Sequence, residues 1–318
     1  MAKTFSELGR VEAIAALFEG TPYHPFEEPL HFTVEPGECV ASASRTLLEG
    51  IDFNLEYFPL KHLGYKSVVE VAGELYSVMA HPRTLSVQLG ISAKLDFEQI
   101  SQLWQGVVTA AEEHGFKSVS LDLQPSKNGL AICVSAAGAS HAERSEARSK
   151  DLVCISGRLG AAFLGQQVLE HRKEDLEKYR MMLAEYLKPE LDSGIVSQLE
   201  DARIFPSFGY FVNRGLADAV KRLSRDSGFG VKVYADKIPF ESGSFTLGKE
   251  LDIDPVSAAM NGGDDCKILF TIPILLAEQF RKDFQTFDII GHLAQPQAGC
   301  VLVSPDGLEH EIKAPGWN

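Results

Sequence analysis

The stretch DFEQISQLWQGVVTAAEEHGFKSVSLDLQPSKNGLAICVSAAG, Asp96–Gly138, decides the fold class. Its first half places Ile100, Leu103, Trp104 and Val107 on one face of a helix, and Gly115 stops that helix. SVSLDLQ and LAICVSAAG then read as strands joined by the turn PSKNG. The two leucines flanking Asp122 put the carboxylate on the opposite face of its strand from them.

The same alternation continues toward the N-terminus. SELGRVEAIAALFEG reads as a helix with Ser6 as N-cap and Gly20 as stop. TPYHPFEEP is a loop, and HFTVE and CVASAS read as short strands. GYKSVVEVAGELYSVMA (64–80) is a helix that is apolar over most of its surface, and therefore buried; LSVQLGIS is a strand. Helix and strand alternate through the first 140 residues, which gives an α/β or α+β domain. The polar stretch SHAERSEARSKD (140–151) is a linker or a solvated surface loop. As a linker it divides the chain into residues 1–140 and 141–318.

Beyond it, LVCISG is a strand running into GRLGAAFLG and a long helix that carries HRKEDLEKYR as a solvated face. GLADAVKRLSRDSG is an amphipathic helix with a glycine stop. GVKVYADKI, KILFTIP, FDIIGHLA and CVLVSP read as strands, and LAEQFRKDFQ as a helix between two of them.

With 318 residues, 45% hydrophobic and 23% charged, the chain has the composition of a globular protein. Its formal net charge of -14 argues against nonspecific binding to nucleic acid or anionic membrane. The most apolar run, ILFTIPILLA, is too short to span a bilayer, and MAKTFSELGR has no apolar signal core. Five scattered cysteines without a Cys-x-x-Cys pair read as buried free thiols in a reducing compartment. A cytoplasmic protein is expected.

Two motifs invite chemistry. GRLGAAFLG (157–165) is a glycine-rich strand-to-helix turn, able to hold phosphate at a helix N-terminus or simply to pack strand against helix. It matches neither the P-loop nor the dinucleotide fingerprint. NGGDDCKILF (261–270) puts Asp264 and Asp265 at the mouth of a buried strand, as a metal–phosphate loop or as a solvated turn. The nine histidines show no metal-ligand spacing, and no G-x-S-x-G elbow occurs.

The order of several segments resembles the thiamine-monophosphate kinase family, in the superfamily that includes aminoimidazole ribonucleotide synthetase. The segments are LLEGIDF (47–53), PLKHLGYKSV (59–68), SGRLGAAFLG (156–165), SGFGVKVYADKIP (227–239), NGGDDCKILFTI (261–272) and the terminal GWN. The resemblance implies an α/β (α+β) subunit of two domains. An N-terminal ATP-binding-like domain would pair its sheet with a second copy in a dimer, and a C-terminal α/β domain would follow. It also implies transfer of the γ-phosphate of ATP to thiamine monophosphate with several magnesium ions, held by carboxylates. Asn261, Gly262, Gly263, Asp264, Asp265 and Trp317 would form the substrate-side loop.

The family's acids are largely replaced. The metal-site positions fall on Arg45, Glu74, Asp122, Phe211 and Arg214, so only Glu74 and Asp122 remain as metal ligands, with Glu27 and Glu28 as stand-ins in the preceding loop. A guanidinium cannot deprotonate to make room for a cation. At ~5 Å and an effective dielectric of ~20, each unit of charge is worth about 3 kcal/mol. Three readings stay open. The chain is a kinase-fold binding or regulatory protein with a degraded magnesium site, in which Arg45 and Arg214 pair with Glu74 and Asp122. Or it is a working kinase with ATP and a reduced magnesium set. Or it binds a small phosphorylated molecule without metal. The expected assembly is a homodimer, or a heterodimer with an active paralogue.

Overall fold

The computed structural model describes residues 5–25, 29–141, 144–171, 174–285 and 287–314. The Glu27 and Glu28 stand-ins and Trp317 lie outside the described residues. The fold is α+β, built on two sheets. Two compact units divide the chain, one formed by Met1–Leu75 and Met79–Ala142, the other by Glu143–Asn318 with Tyr76–Val78.

The first unit contains α1 (Phe5–Leu8), α2 (Arg10–Phe18), β1 (Glu38–Leu48), α3 (Leu60–Ser77), β2 (His81–Ser92), α4 (Phe97–Glu113), β3 (Ser118–Ser126) and β4 (Ala131–His141). Its sheet has the order β1-β4-β2-β3, antiparallel except for the parallel pair β2–β3. The strands read as joined by PSKNG are therefore not neighbours, because β2 lies between them. The single N-terminal helix read from sequence is two, broken at Gly9, whose φ of 78° is outside the helical region. HFTVE forms no strand; the strand there begins at Glu38 and runs on through the Leu-Leu of the LLEG motif.

One face of this sheet is apolar. Leu85, Val87 and Leu89 on β2, Val119 and Leu121 on β3, and Ile132 and Val134 on β4 are all buried. Helix α4 starts at a reciprocal capping box, in which Gln99 N–H donates to Asp96 Oδ1 at 2.9 Å and Asp96 N–H to Gln99 Oε1 at 3.0 Å. It crosses α3 backbone to backbone. A Cβ on Gly64 would lie 1.9 Å from Leu103 O, and one on Gly106 would lie 1.9 Å from Lys61 O. Neither position has room for a side chain. Phe18 on α2 packs on Trp104 of α4, ring centroids 4.9 Å apart.

The second unit contains β5 (Leu152–Ile155), α5 (Ala161–Glu170), α6 (Arg180–Leu187), α7 (Ile195–Asp201), β6 (Gly209–Val212), α8 (Leu216–Ser227), β7 (Gly230–Tyr234), α9 (Ser244–Leu251), α10 (Pro255–Asn261), β8 (Lys267–Ile272), α11 (Ala277–Asp283), β9 (Asp288–Ala294), β10 (Cys300–Val303) and β11 (Glu309–Glu311). These strands form one sheet in the order β11-β10-β7-β9-β5-β8-β6. All pairs are antiparallel except β7–β10. Val153, Leu269, Ile290 and Val233 from the sheet close on Leu216, Val220 and Leu223 of α8 in the main core. A smaller cluster joins α5, α6, α9 and α10 through Leu164, Val168, Met182, Leu247 and Ala258.

Helix α5 ends at Glu170, with the N–H of His171 bonded back to Gln167 O. The described part of HRKEDLEKYR from Glu174 to Arg180 thus lies past that helix rather than on it; Asp175 there has φ 58°, a left-handed break. Cys154, Cys266 and Cys300 are buried as free thiols, but Cys39, near the start of the edge strand β1, is exposed, and Cys133, on the face opposite the leucines, is half-buried. Among the described residues no helix is long and apolar enough to cross a membrane.

Candidate functional site

Strand parity sorts the first unit's charged residues onto two faces. Pairing runs Asp122–Gln88–Cys133–Thr46 across the sheet, and Ser120–Ser86–Ser135–Ser44 beside it. These residues share the face opposite the leucines, as the alternation around Asp122 implies. An open hollow of about 830 Å³ lies on this face, lined by Ser42, Ser44, Ser86, Gln88, Ser120, Asp122, Ser135 and Arg10 among others.

Asp122 does not stand open on it. Arg10 reaches over from α2 and forms an ion pair with Asp122 through Nη2, while Nε donates to Asp122 Oδ1 at 3.0 Å. Oδ2 accepts from Gln124 Nε2 at 3.2 Å. The hydrogen bond from Arg10 holds the Asp122 carboxyl below its ordinary range, against a small opposing effect of burial.

Arg45 is one strand position from Thr46 and so points to the helix side. Its Nε lies 3.6 Å from Glu70 Oε2 on α3, and its Nη2 3.9 Å from Asp52 Oδ1. The Glu70 side chain is 1% exposed. Asp52 is fixed in turn, because its Oδ2 accepts from Leu48 N–H at 2.8 Å. The expected partners of Arg45, Glu74 and Asp122, are not the ones found at it: Asp122 is on the far face, and Glu74 sits half-buried one helical turn beyond Glu70. Glu70 and Arg10 were missed in the sequence because their roles depend on strand parity and helix phase together. The Glu of LLEG is structural, with Glu49 Oε2 accepting from Leu130 N–H at 2.7 Å and closing the β3–β4 turn.

In the second unit three sequence motifs meet. Asp264 N–H donates to Asn213 O at 2.9 Å, which ties the Asn261–Asp265 loop to the turn between β6 and α8. Gly215 makes that approach possible, since a Cβ there would lie 2.4 Å from Met260 O. Phe211 is buried in β6 and Arg214 is exposed just before α8. The loop is tightly wound rather than loose: Gly263, Asp264 and Cys266 all have positive φ, at 83°, 62° and 52°.

Asp265 is 1% exposed and faces the glycine-rich turn. Its Oδ2 accepts from Gly160 N–H at 2.8 Å, and its Oδ1 from Gly160 and Ala162 N–H at 2.9 and 3.4 Å. The N-terminus of α5, read as a phosphate seat or a packing turn, is thus closed by the chain's own carboxyl. Burial pushes the Asp265 carboxyl up to about 7, against the pull of the Gly160 amide and of Lys267. The Lys267 ammonium bonds Glu185 Oε2 at 3.0 Å and Glu190 O at 3.2 Å.

Magnesium takes oxygen ligands with lone pairs to spare. Both oxygens of Asp122 and both of Asp265 are already engaged by N–H donors, and a guanidinium stands between Asp52 and Glu70. Among the described residues no three Asp, Glu, His or Cys side chains group so as to hold a metal ion. The described residues thus present no grouped set of ligands for a multi-magnesium centre.

Residues 27–140 match the family model described as AIR synthase related protein, N-terminal domain. The chain is 22% identical to a thiamine-monophosphate kinase of Aquifex aeolicus over 97% of its length and 99% of that protein's. It superposes on a structure of AaThiL complexed with AMPPCP and TMP with a TM-score of 0.77 at 21% identity, covering 97% of this chain and 96% of that one. It also superposes on E. coli HypE, a hydrogenase maturation protein, with a TM-score of 0.75 at 16% identity, over 95% and 96% of the two chains. The resemblance read from the motifs is borne out: residues 27–140 carry an AIR synthase-related N-terminal domain, and the chain is similar to thiamine-monophosphate kinases over almost its whole length.

Proposed function

We propose that this chain is a thiamine-monophosphate kinase-like protein in which internal ion pairs have taken over the magnesium positions, leaving weak or no phosphoryl transfer and a binding or regulatory role. The observation that carries the reading is the engagement of Asp122 by Arg10 and of Glu70 and Asp52 by Arg45. A fixed cation at each place repels magnesium, and phosphoryl transfer by such folds depends on metal to neutralise developing charge. The N-terminal domain would supply the nucleotide-side cleft and the C-terminal domain, from residue 141, the loop at Asp264 and Asp265. The free thiols favour a reducing, cytoplasmic setting.

A homodimer, or a heterodimer with an active paralogue, is part of this reading. Its support is β1, paired on one side only among the described residues and carrying Val40 at 59% exposure with Ile51 at 78% just beyond. The runner-up reading, an active kinase, draws on the full-length similarity to the Aquifex aeolicus enzyme and on the retained acidic loop. An ADP-release assay with ATP, magnesium and thiamine monophosphate decides between them. The proposal expects at most a trace of ADP above the rate without acceptor; acceptor-dependent, EDTA-sensitive ADP formation at an ordinary kinase rate, on the order of 1–100 per second, would establish the runner-up.

A further inference from the structure

The chain places an Asn or Asp directly before a glycine at Asn128–Gly129, Asn261–Gly262 and Asp306–Gly307. Such a step can close on itself. The glycine nitrogen attacks the side-chain carbonyl carbon, and a glycine has no Cβ to crowd that approach. The attack needs a glycine N–H that no acceptor holds. It also needs a backbone outside the helical region, since a helical turn carries that nitrogen away from the side chain.

The fold separates the steps on both counts. Asn261 is the last residue of α10, Gly262 keeps helical angles of φ -73° and ψ -39°, and its N–H donates to Ala258 O at 2.8 Å. Gly307 N–H donates to Ser304 O at 2.8 Å, and the Asp306 carboxyl accepts from Ser304 Oγ at 2.5 Å and Leu308 N–H at 3.3 Å. Asn128 is exposed in the non-helical turn between β3 and β4. Neither its carboxamide nor the Gly129 N–H has a hydrogen-bond partner among the described residues. The turn is fixed on either side of this bond instead. Asn128 N–H donates to Ser126 Oγ at 3.2 Å, and Leu130 N–H to Glu49 Oε2 at 2.7 Å. Gly129 has φ 93°, and a Cβ there would lie 2.7 Å from Glu49 Oε2, so the position holds a glycine for two reasons.

We infer that Asn128 is a site of self-modification, passing in the folded protein through a cyclic imide with Gly129 to aspartate and isoaspartate. The Gly129 nitrogen bonds to Asn128 Cγ and gives up its proton, the Cγ–Nδ2 bond breaks, and ammonia leaves. Water then opens the ring at either carbonyl. One opening restores the original peptide bond with an aspartate side chain. The other leaves the chain running through the side-chain carbon, longer by a methylene. Both products add a carboxylate to the turn that Glu49 closes.

Peptide mapping by mass spectrometry tests this on protein aged in mildly alkaline buffer, folded or in urea, with isoaspartate told from aspartate by fragmentation. In the folded protein Asn128 is expected to convert about tenfold faster than Asn261 or more, with isoaspartate among the products. In urea, where the helix no longer holds Gly262, the two rates should converge. Asn128→Gln, whose longer side chain closes a less favourable ring, should leave that peptide unchanged over the same time. Equal rates at the two asparagines in the folded protein, or an intact Asn128 there, would overturn the inference.

Discussion

Single residues carry most of the functional argument. Arg45 and Glu70 are a pair in which the acid is almost wholly buried, so removing the guanidinium takes a compensating charge from a buried carboxyl group. Arg45→Met should cost on the order of 1–3 kcal/mol in urea unfolding, and Arg45→Lys less, because an ammonium keeps the charge. Asp265 makes a pH prediction. Its folded carboxyl sits near 7, above its ordinary value of 3.8. Its contribution to stability is therefore full below that ordinary value and is lost as pH rises through about 7. Thermal melts from pH 5 to 8 should show this decline in wild type and a flatter profile in Asp265→Asn, which keeps an acceptor for the Gly160 amide. Parallel profiles would remove Asp265 as the cause. Of these residues, the sequence disclosed the face of Asp122, because parity along a strand is local. It did not disclose the Asp265–Gly160 bond, which spans 105 positions and depends on β5 lying beside β8.

At the scale of elements, the α3–α4 crossing is the most exacting feature. Gly64→Ala or Gly106→Ala would drive a methyl into a facing carbonyl and should destabilise the first unit by about 1–3 kcal/mol or more by overpacking. Full stability of both variants would mean that the helices do not meet there. Helix α4 was legible in sequence from its amphipathic 3.6-residue periodicity, α3 from a long run apolar over most of its surface, and most strands from their short apolar runs. Strand order was not. The turn PSKNG joins β3 to β4 along the chain, but β2 intervenes in the sheet, and no local signal reports that. The break at Gly9 and the end of α5 at Glu170 also escaped, since each is set by backbone angles rather than by hydrophobic pattern.

At the scale of the whole molecule, the motifs gave the family resemblance and with it the α/β (α+β) class, and the replaced acids gave the question about catalysis. The partners of those replacements came only from the fold. Assembly is testable through β1: Val40→Lys with Ile51→Lys should convert a dimer into monomer in sedimentation velocity, and an unchanged sedimentation coefficient would place the interface elsewhere. The central claim is that arginines stand where magnesium would. Its most direct test is calorimetric titration of ATP into the purified protein, once with excess magnesium and once with EDTA. The account predicts the same affinity, or the same absence of binding, in both. An affinity about a hundredfold tighter with magnesium would contradict it and return the chain to the working kinases.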